Sequence, residues 1–207
     1  AVLKYTGGGA STDRGFTINC GTDANQGVTL DASGTGAINW TSTSAIPYGT
    51  LNFTRTFTLS GSSTANNTLA ALIGDNGTGA TQLRKGGRGT WVLNGPVANT
   101  YSGATTVTSG TLVEDFSNMT SGYANLINGN SFLTLAGGTL SLLGNAANAS
   151  SQFFTNNPAF SAGGVGSGLS IAGASGMTLT LSNTWTRGAG STLNVTLGTG
   201  GTLSSSP

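Results

Sequence analysis

The sequence predicts an all-β chain, a right-handed parallel β-helix (solenoid) of roughly nine coils, and three observations carry that expectation. Gly, Thr, Ser and Asn together make up 112 of 207 residues, while charged residues are only 6%. Leu, Ile, Val and Phe recur in short alternating runs, the period of a half-buried strand. The connections between those runs are Gly- and Asn-rich and irregular in length, where tight hairpins would show two-residue Asn-Gly or Asp-Gly loops between long strands.

The recurring unit is a strand of a few residues entered through Gly-Thr. Examples are Gly49-Thr50-Leu51-Asn52-Phe53, Gly89-Thr90-Trp91-Val92-Leu93, Gly110-Thr111-Leu112-Val113 and Gly138-Thr139-Leu140-Ser141-Leu142. Ser191-Thr192-Leu193-Asn194-Val195 and Gly201-Thr202-Leu203 follow the same form. Phe57-Thr58-Leu59, Leu133-Thr134-Leu135, Leu169-Ser170-Ile171 and Thr178–Leu181 lie between them. Leu93, Leu112 and Leu140 are expected to point inward, and Thr90 and Thr111 outward or to an edge. No helical stripe of useful length survives the glycines. A solenoid tolerates such short strands, because each coil buries its inward side chains on its neighbours. With about 20–25 residues per coil and ~4.8 Å between coils, the chain would form a rod about 40–45 Å long. A β-sandwich, the alternative fold, asks for longer strands and more regular turns. Disorder is the alternative that a Gly/Ser-rich composition raises, but disordered chains stay solvated through charge, which is scarce here.

Charge and composition also exclude function classes. A net charge of +1 provides no field for a phosphate backbone or an anionic membrane surface. The charge-free span from Phe116 to Thr186 is interrupted by polar residues well short of the ~20 apolar residues a spanning helix needs. With no His, Ser-His and Cys-His nucleophile pairs and most zinc sites are absent. The acidic residues Asp13, Asp23, Asp31, Asp75 and the Glu114-Asp115 pair are scattered, not gathered as a polysaccharide-cleaving site requires. Glu114 and Asp115 are expected in a surface turn or loop, or on opposite faces if in a strand. Gly74-Asp75-Asn76-Gly77-Thr78-Gly79 has one Asp where a calcium-binding turn needs several. The Arg84-Lys85…Arg88 cluster beside Trp91 is expected to form a solvated turn. Cys20 can form no internal disulfide and is expected as a small buried hydrophobe in a strand. No catalytic, cofactor-binding or metal-binding residue is assigned, and no cofactor is expected.

Residues 81–112 carry a more specific signal: Leu83, Lys85, Gly87, Gly89, Thr90 and Leu93; then Asn99, Tyr101, Gly103, Thr105 and Val107; then Gly110, Thr111 and Leu112. This order resembles the autotransporter-associated β-strand repeat of large bacterial surface and secreted proteins. The resemblance implies a single β-helix segment over 1–207 from the passenger region of a larger exported protein, extracellular or at the bacterial cell surface. It implies a structural or adhesive module without catalysis. No membrane barrel is recognisable in the chain, so any anchor is expected elsewhere. Two alternatives remain: an extracellular filament subunit whose solenoids stack end to end, and a carbohydrate-binding or carbohydrate-cleaving β-helix, for which Tyr48, Tyr101, Tyr123 and Trp185 are the residues to inspect. The expected partners are neighbouring β-helix segments or copies of the chain at its ends, with surface glycans or host and matrix proteins as further possibilities. Neither nucleic acid nor membrane insertion is expected.

Overall fold

The chain winds into a parallel β-solenoid of about seven turns. The computed structural model describes residues 1–23, 26–156, 158–160, 165–182 and 185–206. The first sheet stacks β1 (Val2–Tyr5), β3 (Gly27–Ala32), β5 (Arg55–Ser60), β7 (Thr81–Lys85), β9 (Thr105–Val107), β11 (Leu133–Leu135), β14 (Ala159–Phe160) and β17 (Thr186–Arg187). The second stacks β2 (Ala10–Thr12), β4 (Ile38–Trp40), β6 (Asn66–Leu69), β8 (Thr90–Leu93), β10 (Thr111–Asp115), β12 (Thr139–Leu143), β15 (Gly166–Ala172) and β18 (Thr192–Leu197). A third, shorter sheet of β13 (Ser150–Phe154), β16 (Met177–Ser182) and β19 (Gly201–Ser206) closes the later turns. In the earlier turns single parallel bridges, such as Ile18 with Tyr48 and Ala45 with Leu72, hold that side. Among the described residues every pairing between the named strands is parallel, and successive strands of one sheet lie one full turn apart. One three-residue 3₁₀ turn, Phe116–Asn118, is capped by the Asp115 carboxylate, which accepts from the Ser117 N–H at 2.9 Å.

The turn count corrects the expected nine coils. Along the first sheet Leu3 pairs with Leu30, then Leu59, Lys85, Val107, Leu135, Phe160 and Arg187, seven steps of 22 to 29 residues. The connections absorb more chain per turn than the strands alone suggest, so the rod is about 34 Å long at ~4.8 Å per turn. The Gly-Thr entry also misleads once. Leu51 is exposed and Asn52 takes a positive φ of 68°, so Gly49–Phe53 is a corner and not a strand. Cys20 is buried as expected, but outside any strand.

Alternation builds the interior. In β5, Arg55, Phe57 and Leu59 are buried while Thr56, Thr58 and Ser60 are half-buried on the outer side. The second sheet stacks two inward columns. One runs Asn67, Trp91, Leu112, Leu140, Leu169, Val195, and the other Trp40, Leu69, Leu93, Glu114, Leu142, Ile171, Leu197. Leu93, Leu112 and Leu140 are fully buried, and Thr90 and Thr111 sit half-buried on the outer side, as their alternation requires. Glycine is indispensable at the corner before the second sheet. Gly87 and Gly110 adopt φ of 67° and 63°, and a Cβ on either would stand 2.4 Å or less from a carbonyl oxygen of the preceding turn.

Candidate functional site

The interior polar groups are where this fold could hold chemistry; they are spread along the rod, and Thr81, Lys85, Asn99 and Thr105 lie within residues 81–113. In β7 the alternation that turns Leu83 inward also turns Lys85 inward, and its ammonium is not solvated. Lys85 Nζ donates to the carbonyls of Gly86 (2.7 Å), Gly87 (2.9 Å) and Ser109 (3.1 Å), so it ties the corner of its own turn to the next. Burial pushes its pKa down to about 8, and the three carbonyls keep the ammonium form at neutral pH. The basic cluster expected as a solvated turn is therefore divided. Arg84 and Arg88 are exposed, whereas Lys85 and Trp91 are fully buried. A long aliphatic stem with a polar tip suits an inward corner position, which residue-type averages do not convey.

The matched aromatic and hydroxyl positions form a second interior device. Tyr101 Oη lies 2.7 Å from Thr105 Oγ1, which lies 2.8 Å from Ser131 Oγ, and Ser131 donates to the Gly103 carbonyl at 2.7 Å. Each hydroxyl carries one proton, so the directions follow: Tyr101 donates to Thr105, Thr105 to Ser131, and Ser131 to the backbone. Desolvation, partly offset by the Thr105 contact, raises the Tyr101 pKa, and the phenol stays neutral. Asn99 receives the Ile73 N–H at 2.8 Å and donates to the Leu126 carbonyl at 2.9 Å, joining the turns on either side. Asn67 and Gln152 bridge backbones in the same manner. Asn67, Asn99 and Gln152 thus bond to the backbone of neighbouring turns.

Glu114 is the exception. The Glu114-Asp115 pair is not in a surface loop but in β10, with the two side chains on opposite faces. Glu114 stands in the inward column between Leu93 and Leu142, fully buried. Neither carboxyl oxygen has a partner of good geometry. The Ile127 N–H beside it is engaged with Gln152 Oε1 at 3.2 Å. Desolvation by burial raises its pKa to about 8, against a weaker lowering by the Ile127 amide. The acid is neutral at pH 7.

The remaining candidates are structural or separate. Asp75 accepts from Thr81 N, Ser102 N and Ser102 Oγ at 2.6–2.9 Å, stapling adjacent turns with the carboxylate that a calcium turn would need free. Arg55, 1% exposed, donates to the carbonyls of Cys20, Gly21 and Asp23. Tyr101 is buried, Tyr48 and Tyr123 are half-buried, and Trp185 packs edge-on against Phe160, so the four aromatics inspected for a sugar groove form no common surface. Among the described residues no three metal-ligating side chains cluster. The interior lysine and glutamate escaped sequence reasoning because both residue types are ordinarily solvated. The signal that could have found them is their place in the alternation, in phase with Leu83 and Leu112.

With the geometry in place, comparison with known proteins gives three findings. No solved structure matches the chain significantly. The adhesin BmaC autotransporter of Brucella suis biovar 1 (strain 1330) is 43% identical over 112 residues, which cover 54% of this chain and 3% of that protein. The chain accordingly spans a small fraction of the relative's length. Residues 83–113, which include Lys85, Asn99 and Tyr101, match the model of the passenger-associated-transport-repeat family.

Proposed function

We propose that the chain is a non-catalytic structural and adhesive module of an autotransporter-like bacterial surface protein, a right-handed β-helix displayed outside the cell. The observation that carries this reading is the use made of the matched repeat. Leu83, Leu93, Val107 and Leu112 fill the interior, and Lys85, Asn99, Tyr101 and Thr105 satisfy its polar groups. Gly87 and Gly110 make its corners. Residues committed to holding turns are not free to turn over a substrate, while the outer faces offer Thr, Ser and Asn to contact. The similarity to an adhesin supports display at the surface. Beads coated with the folded chain should be retained on epithelial monolayers above beads coated with heat-denatured chain. Equal retention removes the adhesive half of the proposal.

The ends favour a further reading. Leu3 and Leu197 continue inward columns yet are each 53% exposed, and among the described residues no strand pairs with the outer edges of β1, β2, β17, β18 or β19. Open edges of this kind pair with further strands. Additional solenoid turns, from the same polypeptide or from another copy in a filament, are the occupant that continues both the columns and the hydrogen bonding. Sedimentation velocity distinguishes the two sources. Concentration-dependent growth into longer rods supports the filament, and a monomer at every concentration assigns the edges to the parent polypeptide.

A further inference from the structure

The two ends of the rod are unequal in a complementary way. At the first turn a cavity of about 180 Å³ opens, lined by Ala1, Leu3, Phe16, Ile18, Val28 and Leu30. At the last turn Trp185 is 37% exposed, and Val195 and Leu197 are exposed beside it. We propose that the last turn of one copy of this chain docks on the first turn of a second copy, with Trp185 filling that cavity.

The strand register places the indole and the cavity on one line. An inward column of the first sheet runs Val28, Phe57, Leu83, Thr105 and Leu133. Ala1 precedes Val2 as Val28 precedes Thr29, and Trp185 precedes Thr186 as Leu133 precedes Thr134, so the column begins at Ala1 and ends at Trp185. Its smallest side chain stands at one end and its largest at the other. Trp185 packs edge-on against Phe160, with 5.4 Å between ring centroids, which keeps the indole on the inner side. The second sheet repeats the pattern. Val195 and Leu197 end columns that begin at Ala10 and Thr12, so large again meets small. Arg187, the other inward residue of the last turn, stands in the column of Lys85 and faces the position of Leu3. It donates to the Ser191 carbonyl at 2.9 Å, as Lys85 donates to the corner of its own turn. An aromatic side chain buries about 150–250 Å² when enclosed, so Trp185 is the natural anchor of such a contact. The open edges of β17 and β18 then continue on those of β1 and β2 in the parallel sense already used along the rod. The two surfaces differ, so the contact is head-to-tail and does not close on itself. Seven turn steps within a copy and one across the junction give an axial repeat of about 38 Å.

This inference deepens the filament reading and rests on it. Sedimentation velocity and tryptophan fluorescence are followed against concentration for the native chain, Trp185→Ala, Leu3→Arg and Thr134→Val. The native chain should lengthen into rods while its emission shifts to the blue, since Trp40 and Trp91 are already buried and Trp185 alone has much surface to lose. Trp185→Ala empties the cavity, and Leu3→Arg sets a second cation opposite Arg187. Each should weaken association at least tenfold, and Thr134→Val, on a lateral face, should behave as the native chain. Leu3 is more than half exposed, so Leu3→Arg keeps the test alive if Trp185→Ala loosens the last turn. Mixed together, the two end variants should stop at a one-to-one dimer, because Leu3→Arg keeps an intact last turn and Trp185→Ala an intact first turn. Association that both variants leave at native strength, or a mixture that grows into long rods, overturns the docking and leaves the filament reading standing. A native chain that stays monomeric at every concentration overturns both.

Discussion

Replacing Glu114 tests how the interior handles charge. The carboxyl stands between Leu93 and Leu142 without a partner, and its pKa rises from 4.5 to about 8 on folding. The sign follows from proton counting. Between those two values the folded chain holds a proton that the unfolded chain has released, so stability falls as pH rises through the window and levels off above about 8. At ~1.4 kcal/mol per pKa unit the full effect is about 5 kcal/mol, comparable with the whole stability of a marginal domain. Glu114→Gln removes the titration while keeping the shape, and Glu114→Leu completes the apolar column. Urea unfolding of the three proteins at pH 5, 6, 7 and 8 reads the result. The stability advantage of Glu114→Gln over the native chain should grow by about 3–4 kcal/mol across that series. The chain has no histidine, so no imidazole titrates in the same range. Lys85, whose pKa falls from 10.5 to about 8, adds the opposite slope only above pH 8. An advantage that stays constant from pH 5 to pH 8 would refute the reasoning, because it would mean that Glu114 ionises in the folded chain as freely as in the unfolded one.

Two further outcomes follow from the alternation and the corner bonds. Truncating Leu93, Leu112 or Leu140 to Ala should cost about 2–5 kcal/mol in urea unfolding, and Thr90→Ala or Thr111→Ala clearly less; equal losses in the two sets would overturn the face assignment. Lys85→Met keeps the buried stem but strips three carbonyls of their donor, at about 2–5 kcal/mol. Arg84→Met, on the solvent side of the same strand, should stay within about 0.5 kcal/mol, and a comparable loss at both positions would return Lys85 to the surface.

The sheet faces were legible because alternation is local. Phe57, Leu59, Leu83, Leu133 and Leu169 can each be assigned inward from three or four residues of context, and all are buried. The number of turns was not legible, because the steps of 22 to 29 residues are set by corner connections whose lengths follow no period. Gly49–Phe53 shows the same limit. Its Gly-Thr-Leu matches true strands, and only the positive φ at Asn52, fixed by contacts one turn away, makes it a corner. There Asn52 Oδ1 accepts from the Thr78 N–H at 3.0 Å, a contact between residues 26 apart in sequence.

The two interior charges separate what a motif encodes from what it tolerates. Lys85 and Glu114 both follow the inward alternation, and both were expected at the surface from residue type alone. At Lys85 the corner supplies three carbonyls, so the charge is satisfied and the position belongs to the logic of the repeat. Glu114 lies mid-column, where the Ile127 N–H beside it is spent on the Gln152 side-chain carbonyl, and the same alternation leaves its acid unpaired. A solenoid's stability is close to a sum over adjoining turns, so such a cost is not shared along the rod. It weakens the interfaces that β10 makes with β8 and β12. Local opening should therefore begin there, and amide hydrogens of Leu112–Glu114 should exchange faster at pH 8 than the intrinsic pH dependence of exchange allows, while those of β5 follow that dependence.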